Sequence, residues 1–347
     1  MGYAMTLQEL GTEWDDAWDN LVRQSAESGF MQSSAWAAFK RAEGYKTHRL
    51  GLFTSEGALL GGASVLSYPA EGKEGFLICP EGPVLPWQET DIAREGLRKI
   101  LAATQEIAAQ QGGLGFRIEP HLPPPRPSIL RNWMRAPVDL TPLHTLMLDL
   151  TQSEEVLRAQ MQPKGRYNLG LAGRQGVRVT GSHQMQDIAR FYPLFEETAG
   201  RNDFFAEPYG FFLNLGATLF PSKQAKLYFA EGEGEVIAGI LVVFFGRRAT
   251  YLYGGSSTRH RNVMPNYLLH WTALQEARAF GCVEYDFYGY DPFGQPNHQY
   301  GGISRFKKQF GGRQQDSMGA YDYLFYDRLA EQLIPRLQAS LAVSSLL

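Results

Sequence analysis

Residues 226–245, KLYFAEGEGEVIAGILVVFF, decide the fold. Two runs rich in β-branched and aromatic residues flank a Gly- and Glu-containing turn, the pattern of a β-hairpin. Working outward, residues 249–253 (ATYLY) read as a further strand, a helix is predicted from about Pro265 to Phe280, and residues 282–288 (CVEYDFY) read as another strand. The same order stands earlier in the chain. Residues 48–67 (HRLGLFTSEGALLGGASVLS) form a hairpin and Gly75–Leu85 an apolar run with Pro80, Gly82 and Pro83. A helix from Asp91 to Gln111 follows, with Asp91 as N-cap and Gly112 as stop, and Leu114–Ile118 closes the unit. In each hairpin a small-residue pair, Gly61-Gly62 or Ala238-Gly239, leads into the second strand, and each unit is preceded by an aromatic-bearing helix, Ser34–Arg41 or Gln186–Thr198. The pattern is an internal duplication of a mixed α/β unit.

Strand, strand, strand, helix, strand resembles the fold of the acyl-CoA N-acyltransferases, so the expected fold class is α/β (α+β), a tandem duplication of a GNAT-like unit. In that fold a glycine-rich loop between a strand and the following helix lets backbone NH groups reach a pyrophosphate. The corresponding loops here, Pro86–Asp91 and Ser256–Pro265 (SSTRHRNVMP), contain no glycine, so neither unit is expected to hold coenzyme A. Between the units, His121–Pro127 (HLPPPRP) is too proline-dense for a helix interior or a central strand. Leu146–Leu150 then opens the second unit, and Thr151 or Ser153 caps a helix with Glu154 and Glu155 in its first turn, where the helix dipole favours acids.

Composition agrees with two globular domains: 347 residues exceed one ordinary domain, and 44% hydrophobic with 20% charged residues excludes a disordered or fibrous chain. The acidic start (Glu9, Glu13, Asp15, Asp16, Asp19) is unlike a secretory signal, no stretch is long and apolar enough to span a membrane, and Cys79 and Cys282, each within a strand-like run, read as buried thiols in a reducing cytoplasm. A net charge of −3 argues against bulk nucleic-acid binding, so any polyanion has to be met locally. Three basic runs exist: Arg158, Lys164, Arg166, Arg174 and Arg178; Arg259 with Arg261; and Arg305, Lys307, Lys308 and Arg313. Taken singly, each also fits a solvated face.

No GxxxxGK[ST], HExxH, GxSxG or CxxC occurs, and the seven histidines lack metal-ligand spacing, so no cofactor or metal is expected. Aromatic and basic residues at strand ends remain, without a visible nucleophile and base. That set suits transfer from a donor that is already activated, such as an aminoacyl ester, which needs a positioned neutral amine and a donor group for the tetrahedral oxyanion.

Specific motifs run through the chain. They are Gln32-Ser33-Ser34-Ala35-Trp36-Ala37-Ala38-Phe39-Lys40, Glu81-Gly82-Pro83-Val84, His144–Leu150, Pro163-Lys164-Gly165-Arg166-Tyr167-Asn168 with Gly176-Val177, Thr198-Ala199-Gly200-Arg201, Tyr251-Leu252-Tyr253-Gly254-Gly255-Ser256, Tyr285-Asp286-Phe287 and Gly301–Gly311. In this order, over about residues 30–311, they resemble the Fem family of peptidoglycan peptidyltransferases, which build cell-wall cross-bridges from aminoacyl-tRNA. The resemblance implies two GNAT-like domains, 1–141 plus a returning tail 315–347, and 142–314. Its implied partners are aminoacyl-tRNA and a UDP-linked or lipid-linked muramyl peptide, the latter met by peripheral membrane contact, and its implied location is the cytoplasm. The long charged coiled-coil insertion of some members is absent here, which matches the compact type that adds a first residue. The rival readings are an acyl-CoA-dependent N-acyltransferase and a non-catalytic precursor-binding protein.

By resemblance, Lys40 and Arg201 bind the precursor diphosphate, two cations from separate domains on one dianion. Tyr251 and Tyr253, alternating with Leu252 and so expected on one face of a strand, line the precursor site, as Phe306 does beside Lys307. Lys307 steadies the donor or the oxyanion, and Glu119, in Phe116-Arg117-Ile118-Glu119-Pro120, orients the attacking amine. On the residues alone, Lys40 reads as a surface helix lysine, the tyrosines as packing residues, Glu119 as a salt-bridge partner of Arg117 or another cation, and Lys307 as a cap or one of several phosphate contacts. After Asn168 the family often continues with basic residues, whereas Leu169–Gly173 here is uncharged.

Overall fold

The computed structural model describes residues 4–69, 75–295 and 300–325. It divides into two compact units, residues 1–143 with 317–347, and residues 144–316. The first unit contains β1 (Met5–Glu9), α1 (Asp15–Gln24), α2 (Ser34–Ala42), β2 (Lys46–Thr54), β3 (Leu59–Pro69), β4 (Gly75–Pro80), α3 (Thr90–Gln111), β5 (Gly113–Glu119) and β6 (Met134–Arg135). The second contains β7 (His144–Asp149), α4 (Glu154–Gln160), α5 (Pro163–Arg174), β8 (Arg178–Ser182), α6 (Ile188–Asn202), α7 (Tyr209–Leu219), β9 (Ala225–Gly232), β10 (Glu235–Phe245), β11 (Arg248–Ser256), α8 (Pro265–Ala279), β12 (Glu284–Gly289), α9 (Gly301–Lys307) and β13 (Arg313–Asp316). A last strand, β14 (Tyr321–Leu324), belongs to the first unit.

Each unit is one seven-stranded sheet, ordered β1-β2-β3-β4-β5-β14-β6 and β13-β7-β12-β11-β10-β9-β8. The duplicated core repeats element for element in order: an antiparallel meander, β2-β3-β4 or β9-β10-β11, then a helix, then a strand parallel to the one before the helix. The crossover helices α3 and α8 are what a parallel pair requires. The strand flanking β5 is β14, from the far end of the chain, and the strand flanking β12 is β7, from the start of its own unit.

Local details revise several expectations. The first helical bond of α3 runs from Ala93 N to Glu89 O, so Glu89 occupies the cap position and Asp91 sits within the first turn, paired with Arg94 at 2.6 Å. Gly112 stops α3 with φ +75°, the left-handed conformation glycine adopts without strain. Ser153, not Thr151, caps α4 through Val156 N. Gln186 falls in a 3-10 turn before α6, and Cys282 lies just ahead of β12, because Cys282 N bonds back to Ala277 O and closes the end of α8. Both cysteines are buried free thiols.

The small-residue pairs lie inside β3 and β10, where helices approach. A Cβ on Gly62 (φ +151°) would meet Leu50 O at 2.0 Å and the Trp18 ring at 2.8 Å, and one on Gly239 would meet Phe191 at 3.1 Å. Trp18 is on α1 and Phe191 on α6, so the two units use the same device to seat a helix on the second strand of the meander.

Candidate active site

In the second unit, β11 and β12 run parallel and present their carboxyl ends together, the edge at which open α/β sheets bind ligands. Helix α9 packs its buried face, Ser304 and Lys307, against this edge, while Arg305 and the following Lys308 face solvent. The Lys307 ammonium donates to Gly289 O at 2.5 Å and lies over the rings of Tyr251 (5.5 Å) and Tyr300 (5.8 Å). Only 3% of Lys307 is exposed, and removal from water pushes its pKa down to about 7, with the negative charge of Asp286 acting in the opposite direction.

The neighbours hold this geometry. Gly289 has to be glycine, because a Cβ there would enter the Tyr300 ring at 2.2 Å. Ser304 Oγ donates to Tyr300 O (2.6 Å) and accepts from Asp291 N (2.7 Å), and Asp291 Oδ1 accepts from the amides of Phe293 and Gly294, which fixes the turn after β12. Behind Lys307, the His270 imidazole stands edge-on to Tyr251 with centroids 4.5 Å apart and shares a 2.9 Å hydrogen bond with the Tyr285 hydroxyl. Burial, reinforced by the charge of Lys307, lowers His270 to about 3, so it is a neutral ring. Phe306 is half-buried against Tyr267 (5.0 Å), Phe310 (5.3 Å) and His270 (5.4 Å). Burial raises the Tyr251 phenol well above its usual range.

Tyr251 and Tyr253 do not share a face. The β10–β11 register slips between Leu241 and Val242: Leu241 pairs with Tyr253 and Val242 with Tyr251, and Leu252 is the extra residue of a bulge. Tyr251 therefore joins the core beneath α8, and Tyr253 packs on the opposite side among Phe195, Phe211 and Phe212 of α6 and α7, at 5.6, 5.8 and 5.2 Å. Gly254 and Gly255 complete the motif. A Cβ on the first would strike the Tyr251 hydroxyl at 2.3 Å, and one on the second the backbone of Leu194 at 2.3 Å.

Arg201, in the last turn of α6, is tied to the end of β11. It donates to Ser256 O and to Thr258 Oγ1, both at 3.0 Å, and to Thr198 Oγ1 at 3.1 Å, while Ser256 N donates to Thr198 Oγ1 at 2.9 Å. The Thr198–Arg201 and Tyr251–Ser256 motifs thus meet. Burial and then nearby Arg261 lower the pKa of Arg201.

In the first unit, Lys40 is 3% exposed on α2, its ammonium over Phe39 (5.0 Å), Trp36 (5.4 Å) and Tyr45 (5.4 Å), a cation in an aromatic setting and not a surface lysine. Gln32, at the head of the same motif, accepts from Ser64 N (2.8 Å) and donates to Pro80 O (2.6 Å), joining β3 to β4. Glu119 is buried at the end of β5, where Oε1 accepts from Leu140 N (2.6 Å) and Oε2 from Thr141 N (2.9 Å). Its pKa is pushed up to about 7 by burial, against those hydrogen bonds. Arg117 is paired elsewhere, in a two-point contact with Asp322 at 2.7 and 2.8 Å, so a Glu119–Arg117 bridge is not what holds Glu119.

The structure thus brings Lys307, Tyr251 and Phe306 together, ties Arg201 to the same strand end from the other face with Tyr253 nearby, and places Lys40 and Glu119 in the first unit. His270, Tyr300 and Gly289 were missed by the sequence reading. Their signals were slight: one histidine on the apolar face of a helix, and a tyrosine just ahead of Gly301-Gly302.

Comparison with known proteins follows the same lines. A profile of the FemAB family matches residues 15–124 and 222–328. A lipid II:glycine glycyltransferase of Staphylococcus saprophyticus is 21% identical over 89% of this chain and 91% of its own, and one of Staphylococcus epidermidis is 20% identical over 92% and 94%. Among solved structures, the crystal structure of FemX superposes with a TM-score of 0.84 at 18% identity, covering 95% of this chain and 100% of that one. A tandem GNAT protein from the clavulanic acid biosynthesis pathway gives 0.56 at 10% identity over 92% and 98%. The fold is the tandem GNAT-like one.

Proposed function

Because this chain belongs to the FemAB family, we propose that it is a transferase that moves an amino acid from aminoacyl-tRNA to the side-chain amine of the diamino residue in the stem peptide of a UDP-linked or lipid-linked peptidoglycan precursor, the step that starts the interpeptide bridge. The glycyltransferase names of its relatives support transfer to such a precursor. The observation that carries the chemistry is the buried ammonium of Lys307 at the carboxyl ends of β11 and β12.

In this reading the neutral precursor amine attacks the ester carbonyl carbon, a C–N bond forms, and the carbonyl oxygen takes up negative charge. Lys307 stabilises that oxyanion in a low-dielectric setting, where a preorganised charge acts strongly. Collapse breaks the bond to the ribose oxygen, and the proton lost by the amine ends on that oxygen. Tyr251 and Phe306 shape the wall beside Lys307. Tyr253 acts from the other face, through the aromatic cluster that seats α6 and Arg201. Lys40 and Arg201 supply charge for the diphosphate, and Glu119 acts at the acceptor amine. Contact with a lipid-linked acceptor would be peripheral, since among the described residues no helix is long and apolar enough to cross a membrane. The reaction belongs in the cytoplasm, where charged tRNA is found.

The test is to incubate the protein with a muramyl peptide precursor and either charged tRNA or acetyl-CoA, and to read product mass. An aminoacylated precursor formed only with charged tRNA is expected. An acetylated product, or none with either donor, would overturn the reading.

A further inference from the structure

The first unit holds a cavity of about 230 Å³ between α2 and the edge of its sheet, lined chiefly by Glu9, Ala37, Arg41, Thr47, Arg49 and Ser64. None of the candidate site residues above lines it. Its walls follow from the local folding. Ala37 and Arg41 are one turn apart on α2 and so share a helix face. Arg49 of β2 and Ser64 of β3 are partners in the antiparallel register, which puts both side chains on one face of the sheet, and Thr47 stands on that face two residues from Arg49. It is the face on which the helices sit, since a Cβ on Gly62, two residues before Ser64, would meet Trp18 of α1 at 2.8 Å.

Most polar groups around the cavity are already engaged. Arg49 pairs with Asp15 at 2.5 Å and donates to Gly11 O at 2.7 Å. Glu9 meets His48 at 2.9 Å, and His48 shares a 3.1 Å hydrogen bond with Gln111. The carboxylate of Glu13 folds back over Gly11 at the rim, where a Cβ would meet its Oε2 at 2.2 Å. Two groups are left over. Arg41 is exposed, donates to Thr47 Oγ1 at 2.8 Å and, among the described residues, has no carboxylate within ion-pair distance. Ser64 is 1% exposed, and the Gln32 side chain engages its amide at 2.8 Å and its carbonyl at 3.2 Å, while its Oγ has no partner among the described residues. A buried hydroxyl left in that state costs free energy that a ligand oxygen would recover.

We propose that this cavity is a second binding site, for a small oxyanion, a carboxylate or a phosphate, held between the Arg41 guanidinium of α2 and the Ser64 hydroxyl of β3. Both open groups are donors, the lining carries two arginines against one glutamate, and a guanidinium stays charged. A planar guanidinium takes a carboxylate or phosphate through two parallel hydrogen bonds, and the oxygen nearest the sheet supplies the acceptor that Ser64 lacks. The volume is below the roughly 300–1,000 Å³ of sites for drug-sized molecules, so a nucleotide or a muramyl peptide does not fit. Lys40, the neighbour of Arg41 on α2, is turned into the rings of Trp36, Phe39 and Tyr45 and does not line the cavity, so this site is separate from the diphosphate contact and independent of the tRNA-dependent reading.

The experiment titrates the full chain with inorganic phosphate and, separately, with acetate, at constant ionic strength set by chloride, and follows the phosphorus line width and the acetate methyl relaxation by NMR. Saturable binding of at least one anion is expected. Phosphate alone identifies the ligand class as a phosphate ester, acetate alone as a carboxylate. Arg41→Gln, at an exposed position, should fold as the parent does and weaken binding by about 10-fold or more, and Ser64→Ala should weaken it by about 2- to 10-fold. Lys40→Met/Arg201→Ala should bind the anion with the parent's affinity. The site is overturned if neither anion binds saturably, if Arg41→Gln keeps the parent's affinity, or if Lys40→Met/Arg201→Ala loses binding, which would place the anion at the diphosphate contact instead.

Discussion

Tyr251 presents its ring to the ammonium of Lys307 at 5.5 Å and its edge partner is the neutral imidazole of His270 at 4.5 Å, so the cation that donates to Gly289 O is also bordered by π-surface. The charged state of Lys307 is thus set by two rings, one carbonyl and the negative charge of Asp286, against its removal from water.

The pH dependence of transfer follows from this. The neutral fraction of an unperturbed precursor amine, with a pKa near about 10.4, rises roughly tenfold per pH unit below that value. The protonated fraction of Lys307 falls above about 7. If the charged form stabilises the oxyanion, the single-turnover rate climbs to about pH 7 and then levels off. Lys307→Met should slow saturated single-turnover transfer by about 10²- to 10³-fold and let the rate keep climbing through pH 8 and 9. A folded variant within a few-fold of the parent would remove Lys307 from the chemistry.

Tyr251 should act on the position of that break. A desolvated cation–π contact contributes on the order of 1–2 kcal/mol, or about one pH unit. Tyr251→Leu is therefore expected to move the break downward by up to about one unit, whereas Tyr251→Phe keeps the ring and leaves it near 7. Pre-steady-state rates measured from pH 5.5 to 9 separate the two variants.

For the precursor, Lys40→Met removes charge while preserving length among the three rings, and Arg201→Lys keeps charge while losing the fork that holds Ser256 and Thr258. Loss of a charge-assisted contact of about 1.5–3 kcal/mol corresponds to a roughly 10- to 150-fold weaker precursor affinity for Lys40→Met and for Arg201→Ala. Isothermal titration with a UDP-linked muramyl peptide reads this directly. Unchanged affinity in both would remove the diphosphate contact.

Glu119 carries a separate pH signature in stability. Its folded pKa, about 7, lies above the ordinary carboxyl value of 4.5, so its contribution is fully present below pH 4.5 and is lost as pH rises through about 7. Glu119→Ala should accordingly destabilise the protein more at pH 5 than at pH 8 by chemical denaturation. The opposite order would mean that its hydrogen bonds to Leu140 N and Thr141 N outweigh burial.

Asp322→Ala leaves Arg117, 2% exposed, without its two-point partner. Breaking a buried ion pair by removing one side is expected to destabilise by about 3–5 kcal/mol. Denaturant unfolding checks the value, and a loss below about 1 kcal/mol would show that water reaches Arg117.

What was legible in the sequence was local. Apolar alternation with turn residues located both meanders, and the run from Pro265 and the stop at Gly112 located the crossover helices, because each depends on near neighbours. The facing of Tyr251 and Tyr253 was not legible: alternation put them together, and the bulge at Leu252 that separates them exists only against the register of β10. Lys307 was picked out by its motif, but its burial required knowing that α9 turns Ser304 and Lys307 inward. His270 and Tyr300 gained meaning only from what surrounds them in space. Lys40, which looked like a surface lysine, is enclosed by rings partly supplied by its own helix, Trp36 and Phe39, and partly by Tyr45 beyond it, an enclosure that depends on how the helix faces.

The place of β14 has a consequence for how the chain is made. It sits between β5 and β6, and the ribosome reaches its codons only after the whole of residues 144–316 has been synthesised. The nascent first unit therefore emerges with β5 and β6 unbridged and Arg117 still lacking Asp322, while the second unit has all seven of its strands by residue 316. Order of completion on the ribosome is thus the reverse of order in the sequence: the later unit can close first, and the earlier one has to keep a sheet edge vacant, and shielded from other chains, until Tyr321–Leu324 has been made.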